Sequence, residues 1–447
     1  MSDVVDEVRG EMAAQRNGWH LTQGIAFIAK WLAISLPLGV LVGSAVALFL
    51  WLLDQVIQTH WHHPWILFLL PLAGLVSGLI YHRWGRTIEA GNQLVLEEIQ
   101  KPAGVIPARL APLVLLGTLI THLGGGSAGR EGTAVQMGGS LASLLGGWLR
   151  LNPEEVRLLL QAGVAAGFGA VFGTPLTGTI FAWEICSRAS LPIATLIPSL
   201  LASVLADQVT LAWGIEHTSY PLTGEGWASV PNGSLPPHLS LFLLAKIAVA
   251  AALFGVVSAL FVRTTHTIQQ FLKRHIERAW LRPLMGGCVI IFLTLLLGDR
   301  DYLGLGVDPN PAQPSAVTIP SSFHADGARS FSWLWKIIFT SITVGSGFKG
   351  GEATPLFFIG ATSGHLLGEL LGVPVELLAA LGFVAVFASA TKTPLACTIM
   401  ALELFGRSSP SILATGFPIH AALACFIAYR CSGKNSIYSA TSKPATR

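Results

Sequence analysis

Apolar residues in this chain run in long blocks, over 24–53, 65–80, 110–123, 191–213, 241–262 and 284–297. Each is near or above the roughly 20 residues that take a helix across a bilayer, so the pattern predicts full membrane spans. Between them lie glycine-punctuated pieces at 133–149, 156–172, 176–186, 355–371 and 377–390, several too short to span. Short, broken membrane helices belong to transporter interiors, where freed backbone groups face a protected cavity. The stretches 217–238, rich in Gly, Pro and Ser, and 299–326 read as loops outside the membrane. After Arg430 only a short polar segment follows, with no appended soluble domain expected. The fold class predicted is an all-α, polytopic membrane protein with broken and re-entrant helices.

The chain also repeats itself. Residues 168–184 align without gaps to 387–403, with identities at Phe168/Phe387, Thr174/Thr393, Pro175/Pro394, Leu176/Leu395, Thr179/Thr398, Ile180/Ile399, Ala182/Ala401 and Glu184/Glu403. Upstream, at nearly the same separation, Gly-Gly-Gly-Ser-Ala-Gly-Arg-Glu-Gly-Thr (124–133) parallels Gly-Ser-Gly-Phe-Lys-Gly-Gly-Glu-Ala-Thr (345–354). A Gly-rich turn feeding a broken helix thus occurs twice in the same order. This divides the chain into a leading segment 1–25, a first membrane half 26–215, a loop 216–239, a second membrane half 240–430 and an end segment 431–447. A shared site is expected where the two halves meet.

The chemistry such turns offer is anion binding. A helix N-terminus presents unpaired N–H groups and about half a positive charge, so two such ends pointing inward hold an anion without a permanent cation that would trap it. A phosphate-binding loop is the competing reading, but neither turn has Gly-Lys-Ser/Thr after a strand. Glu131 and Glu352 sit at these electropositive ends, in apolar surroundings where an ionisable group is costly and functional by default. A carboxylate there can occupy the anion's own position and leave when protonated, a gate and a proton carrier in one side chain. Arg130 either braces its turn or faces the ion. Lys349 and Lys392 either raise the local anion concentration or are merely interfacial. Glu184 and Glu403, ending the repeated broken helices, read as structural carboxylates bonded to backbone N–H groups.

Composition agrees with lipid as the solvent. The 447 residues are 52% hydrophobic and only 11% charged, against about one-quarter charged in an ordinary soluble domain. The 48 glycines and 25 prolines suit closely packed, interrupted helices. The first twenty residues carry mixed charges and no short apolar core with a cleavage site, so no cleaved signal peptide is expected. Five cysteines form no Cys-x-x-Cys pair and the 13 histidines show no metal spacing, so neither a disulfide framework nor a metal site nor a cofactor is expected. The net charge is +3, and the basic residues sit in loops (Arg83, Arg86, Lys101, Arg109; Lys273, Arg274, Arg278, Arg282). That is positive-inside topology rather than nucleic-acid binding.

Gly-Arg-Glu-Gly-Thr at 129–133, the 345–354 segment, and Gly-Lys-Asn-Ser-Ile-Tyr-Ser at 433–439 resemble the three anion-site motifs of the CLC family of anion channels and transporters, the likeness covering residues 30–440. The resemblance implies an inverted-repeat fold and a homodimer with a separate pathway in each subunit. It also implies an inner (plasma) membrane location with both termini cytoplasmic, a gating glutamate at Glu131, and Tyr438 beside the central anion. The departures point to one branch. Where chloride-conducting members carry Gly-Ser-Gly-Ile-Pro, this chain reads Gly91-Asn92-Gln93-Leu94-Val95, so the anion meets Asn92 instead of a serine. Ile185 holds the position of the inner proton-relay glutamate of chloride/proton exchangers and cannot titrate. In the third segment, Gly350-Gly351-Glu352-Ala353-Thr354-Pro355 places a carboxylate and a hydroxyl beside the path.

These features resemble the fluoride-exporting branch, which exchanges fluoride for protons. Fluoride is compact and strongly hydrated, so stripping its water needs close, strong donors such as the Asn92 amide and the Thr354 and Tyr438 hydroxyls. The implied anion site comprises Asn92, Gly129, Arg130, Gly132, Gly351, Ala353, Thr354 and Tyr438, with Glu131 as gate. Glu352 is the second carboxylate, with Thr354 positioned to hold it by a hydroxyl hydrogen bond. Within the same fold, a chloride-selective channel or chloride/proton exchanger is the alternative. An intramembrane enzyme using Glu131 and Glu352 as an acid/base pair is the rival from another class. No nucleophile motif or cofactor fingerprint accompanies that pair, and no enzyme is expected.

Overall fold

The computed structural model describes residues 2–100, 104–186, 195–224, 240–307 and 315–438, with side chains from Ala26 onward. Among the described residues the chain is helical throughout and forms no strand. The first half contributes α1 (Ser2–His62), α2 (Leu70–Trp84), α3 (Asn92–Gln100), α4 (Leu110–Leu123), α5 (Glu131–Trp148), α6 (Pro153–Phe172), α7 (Pro175–Ile185) and α8 (Leu196–Ala212). The second contributes α9 (Leu241–His275), α10 (Arg282–Leu297), α11 (Ser332–Gly345), α12 (Ala353–Leu371), α13 (Val375–Thr391), α14 (Pro394–Ser408) and α15 (Phe417–Cys431).

By length and composition, the segments Ala26–His62, Pro64–Trp84, Pro153–Phe172, Leu241–His275 and Ala279–Leu297 can cross a membrane. Two readings of the apolar pattern change. The 110–123 run, expected to span, is the 14-residue α4, about 21 Å long against the ~30 Å of a hydrocarbon core. It stops where the Gly-Gly-Gly turn begins, with Gly125 in the left-handed region at φ 84°. Conversely, the 156–172 piece lies in the 20-residue α6, extended backward by a capping box. There Asn152 Oδ1 accepts from the Glu155 N–H (3.0 Å) and Glu155 Oε2 from the Asn152 N–H (3.1 Å). Residues 191–194 of one expected span, 225–238 of the expected loop and Ser439 of the third motif lie outside the described residues.

Side chains are distributed inside out. On α9, Val249, Leu253, Val256 and Leu260 form an exposed stripe at helical spacing, while Met285, Val289 and Phe292 do the same on α10. Such faces belong against lipid, which is as apolar as they are. Inside, glycine lets helices meet backbone to backbone. A Cβ on Gly138 of α5 would stand 2.1 Å from the Gly163 carbonyl of α6. A Cβ on Gly360 of α12 would stand 2.1 Å from the Gly382 carbonyl of α13. The same packing device recurs in each half: a Cβ on Gly167 would stand 2.3 Å from the Ala134 carbonyl, and one on Gly364 would stand 2.1 Å from the Leu378 carbonyl.

The halves are also tied reciprocally at two short helices. Glu184, at the end of α7, accepts from the N–H groups of Leu395 (3.0 Å) and Ala396 (2.8 Å) at the start of α14. Glu403 of α14 accepts from the N–H groups of Leu176 (3.0 Å) and Thr177 (2.8 Å) at the start of α7, and from the Thr177 hydroxyl (2.8 Å). Both helices begin with proline, so each carboxylate takes the next free donors and complements the positive end. The expectation of structural carboxylates thus acquires partners, and they are in the opposite half. Replacing Glu184 by Ala should cost about 1–2 kcal/mol and lower the thermal midpoint in detergent. Glu184→Gln, which keeps an acceptor oxygen, should cost less and leave ion movement intact. An unshifted midpoint in Glu184→Ala would remove the carboxylate from the architecture.

Candidate functional site

Where the two Gly-rich turns meet, they bond to each other. The Gly129 N–H donates to the Gly351 carbonyl (2.6 Å), and the Gly351 N–H donates back to the Gly129 carbonyl (2.7 Å). Only glycine fits: a Cβ on Gly350, at φ 153°, would lie 2.5 Å from Ala128 Cβ, and one on Gly351 would lie 2.8 Å from the Gly132 nitrogen. This two-bond clasp points the starts of α5 and α12 at one another in the interior.

Glu131 occupies the space so made. Its side chain is 2% exposed. Oε2 accepts from the backbone N–H groups of Arg130 (3.1 Å) and Thr354 (3.2 Å), and Oε1 accepts from the Thr354 hydroxyl. The carboxylate of one half is therefore held by the first turn of the other half's helix, the position an anion would take by the same hydrogen bonds. Ala353 and Thr354 are buried, and a Cβ on Gly129 would stand 2.5 Å from Glu131 Oε2, while one on Gly132 would meet Asn92 Nδ2 at 3.0 Å. The Thr354 hydroxyl, expected to hold Glu352, instead holds Glu131. The reason is direction: at the first turn of α12 it faces back across the clasp.

Beside the second Gly-rich turn opens a vestibule of about 740 Å³. It is lined by Asn92 at the start of α3, Glu352 at the N-cap of α12, and Tyr438, whose segment docks through the Ile437 N–H on the Ala390 carbonyl (3.0 Å). Glu131 is not part of this lining. Asn92 Nδ2 lies against Gly132, and its buried Oδ1 has no hydrogen-bond partner. Arg130 stands apart from the vestibule. Its backbone N–H braces Glu131, while its guanidinium Nε is buried without a partner. Asn92, Glu352 and Tyr438 thus share the vestibule, whereas Gly129, Arg130, Gly132, Gly351, Ala353 and Thr354 gather around Glu131.

Sequence reasoning missed several lining residues, among them Tyr81 and Gln136. Gln136 is a polar residue 8% exposed, five positions after Glu131 on a Gly- and Ala-rich helix. That unusual burial of an amide was the available signal. Lys392, left open between anion attraction and an interfacial role, is committed to the chain's end segment by bonds to Ser432 Oγ (2.6 Å) and the Gly433 carbonyl (2.8 Å). Among the described residues no cluster of ligands suited to a metal occurs.

Comparison with known proteins bears on this arrangement. The profile of the voltage-gated chloride channel family matches residues 73–433. A protein of Pseudomonas syringae pv. tomato described as a chloride/fluoride channel protein is 44% identical over 422 residues, covering 93% of this chain and 87% of that one. A solved CLC-type fluoride/proton antiporter aligns with a TM-score of 0.79 at 33% identity, covering 92% of this chain and 97% of its own. A slow cyanobacterial chloride/proton antiporter shares the fold, with a TM-score of 0.70 at 22% identity over 92% of this chain and 96% of that one.

The hold on Glu131 has a testable sign. A hydrogen bond to a charged group is worth roughly 1.5–3 kcal/mol, and the Thr354 hydroxyl favours the ionised carboxylate in place. Thr354→Val should release the ionised side chain and raise anion flux at pH 7.5 relative to pH 5.5 by about tenfold or more. The ratio is the diagnostic quantity, because loss of a donor for the anion itself lowers both rates alike. A wild-type ratio in proteoliposomes would mean that Thr354 does not restrain the carboxylate.

Proposed function

The chain belongs to the voltage-gated chloride channel (CLC) family of membrane anion channels and transporters, and from that premise we propose that it exports fluoride in exchange for protons. The observation that carries the reading is Glu131 seated on the donors of the opposing helix start. Ionised, the carboxylate fills the site and closes it. Protonated, it loses its charge and its advantage over an incoming anion, so it withdraws and takes the proton with it. Anion and proton then compete for one place, and opposite movement of the two follows.

Fluoride as the anion rests on donor chemistry. Asn92 and Tyr438 supply an amide and a hydroxyl at the vestibule's inner end, and Thr354 supplies a hydroxyl and an N–H that become free when Glu131 leaves. Strong, close donors favour a small anion with a costly hydration shell over chloride. The Pseudomonas relative and the solved antiporter, both described with fluoride, support the same choice. Arg86, Lys273 and Arg282 line the vestibule mouth, so by the positive-inside rule it opens to the cytoplasm, with both termini on that side of the inner membrane.

Glu352 serves as the second carboxylate. It lines the vestibule with Asn92 and Tyr438, whereas Glu184 is bonded to α14 and Ile185 cannot titrate. The halves 26–215 and 240–430 form one pathway, with the segment from residue 431 closing it through Tyr438, and two such subunits make a homodimer with independent pathways.

In proteoliposomes with anion electrodes and a pH probe, Glu131→Gln should abolish uphill fluoride movement under a pH gradient. Glu352→Gln should block exchange in a protein that remains folded and dimeric. Normal coupling in the first variant would remove Glu131 from the mechanism, and normal stoichiometry in the second would mean that the proton takes another route. Separately, wild-type protein should pass fluoride at least tenfold faster than chloride, as expected when a site is built around donors only the smaller ion satisfies. Asn92→Ser should narrow the gap. Equal rates would transfer the assignment to a chloride channel or exchanger.

A further inference from the structure

The vestibule contains a cation that the proposed exchange does not use. Lys349 lies in the turn between α11 and α12, three residues before Glu352, and lines the cavity. Its stem packs on α4 so closely that a Cβ on Gly117 would meet Lys349 Cγ at 2.8 Å. Its Nζ lies 4.1 Å from the centroid of the Tyr81 ring. Among the described residues it forms no ion pair and no hydrogen bond.

The other cations lining the vestibule differ. Arg86 donates to the His82 carbonyl (3.0 Å) and contacts the His82 ring (3.1 Å), and Arg282 donates to the Ile276 carbonyl (3.0 Å). Lys273 is exposed near the end of α9. The acidic residues on the cavity wall are Glu89, exposed, and Glu352. Lys349 is therefore a half-buried lysine on the cavity wall, with the Tyr81 ring over its Nζ, no directly bonded counter-ion, and Glu89 as the acidic group acting on it from a distance. The ring face offsets part of its charge and fixes its place, while the remaining N–H groups stay open to the cavity.

We propose that Lys349 and the Tyr81 ring form an anion-binding station in the vestibule, apart from the paired helix starts, which captures a halide before it reaches the Glu131 pocket. This rests on the anion-transport reading but not on the identity of the anion, since a lone ammonium takes fluoride or chloride alike. A partly compensated cation suits a relay position: it concentrates anions locally and does not hold them as a tight ion pair would. Glu89 opposes it from the rim.

The test is the split between KM and kcat in proteoliposomes, measured with fluoride and with chloride at fixed pH and constant ionic strength. Lys349→Met, which keeps the stem on Gly117 and removes the charge, should raise KM for the transported anion about fivefold to tenfold and leave kcat within about twofold. Lys349→Arg should keep KM near wild type, and Glu89→Gln should lower it. An unchanged KM in Lys349→Met, or the same increase in Lys349→Arg as in Lys349→Met, overturns the station and leaves Lys349 as a packing residue. Should Lys349→Met fail to fold, Lys349→Arg and Glu89→Gln decide: wild-type KM in both overturns the proposal, and a lowered KM in Glu89→Gln supports it. If chloride is carried and fluoride is not, the fluoride reading falls, while the effect of Lys349 is still read from the chloride KM.

Discussion

Two hydrogen bonds between Gly129 and Gly351 set the geometry on which the interior depends. Each half of the chain brings a helix whose first N–H groups have no partner within the helix, a liability in a medium without water. The clasp aims the two ends at a common point, and the liability becomes a shared electropositive pocket. Bulk at Gly129, Gly350 or Gly351 would push the turns apart, so the glycines there are a consequence of closeness rather than of flexibility. With the turns fixed, Glu131 reaches the opposite helix start without any large rearrangement, and the Thr354 hydroxyl faces it directly.

Much of this was legible in the residues. Long apolar runs announced the membrane, and the duplicated Thr-Pro-Leu-x-x-Thr-Ile-x-Ala-x-Glu pattern announced two related halves. The Gly-rich turns marked the helix starts, because no other composition permits such approach of backbones. Local rules also placed Glu131 correctly at a first helical turn. What stayed hidden were contacts between residues far apart in sequence. Thr354 seemed a natural partner for Glu352, two positions away, yet it bonds a carboxylate 223 residues earlier. No periodicity encodes such a pairing.

Length was hidden for a related reason. Hydropathy alone cannot tell a spanning helix from one that stops inside the protein, and α4 stops at the Gly-rich turn because the pocket requires an end there. The vestibule wall was legible only in part: Asn92, Glu352, Tyr438 and Lys349 stood out in the sequence, whereas Tyr81 of α2 and Gln136 of α5 join them only in three dimensions. Lys336 shows the opposite case, a lysine with no exposed surface. It donates to the carbonyls of Tyr302 (3.2 Å), Leu303 (3.4 Å) and Gly304 (2.9 Å), an internal strut for the loop after α10.

The reciprocal capping by Glu184 and Glu403 has a bearing on biogenesis. When the first half leaves the ribosome, the start of α7 has free N–H donors whose acceptor lies 227 residues further along, not yet made. Bilayer hydrocarbon offers no substitute acceptor, so α7 cannot reach its final state until α14 has been inserted beside it. For α14 the order is favourable, because its acceptor Glu184 is already made. Neither half is thus a finished unit, and the polypeptide matures only when its last third arrives. An ancestral single half would have met the same need by pairing with a second copy in opposite orientation, each supplying the other's missing carboxylate.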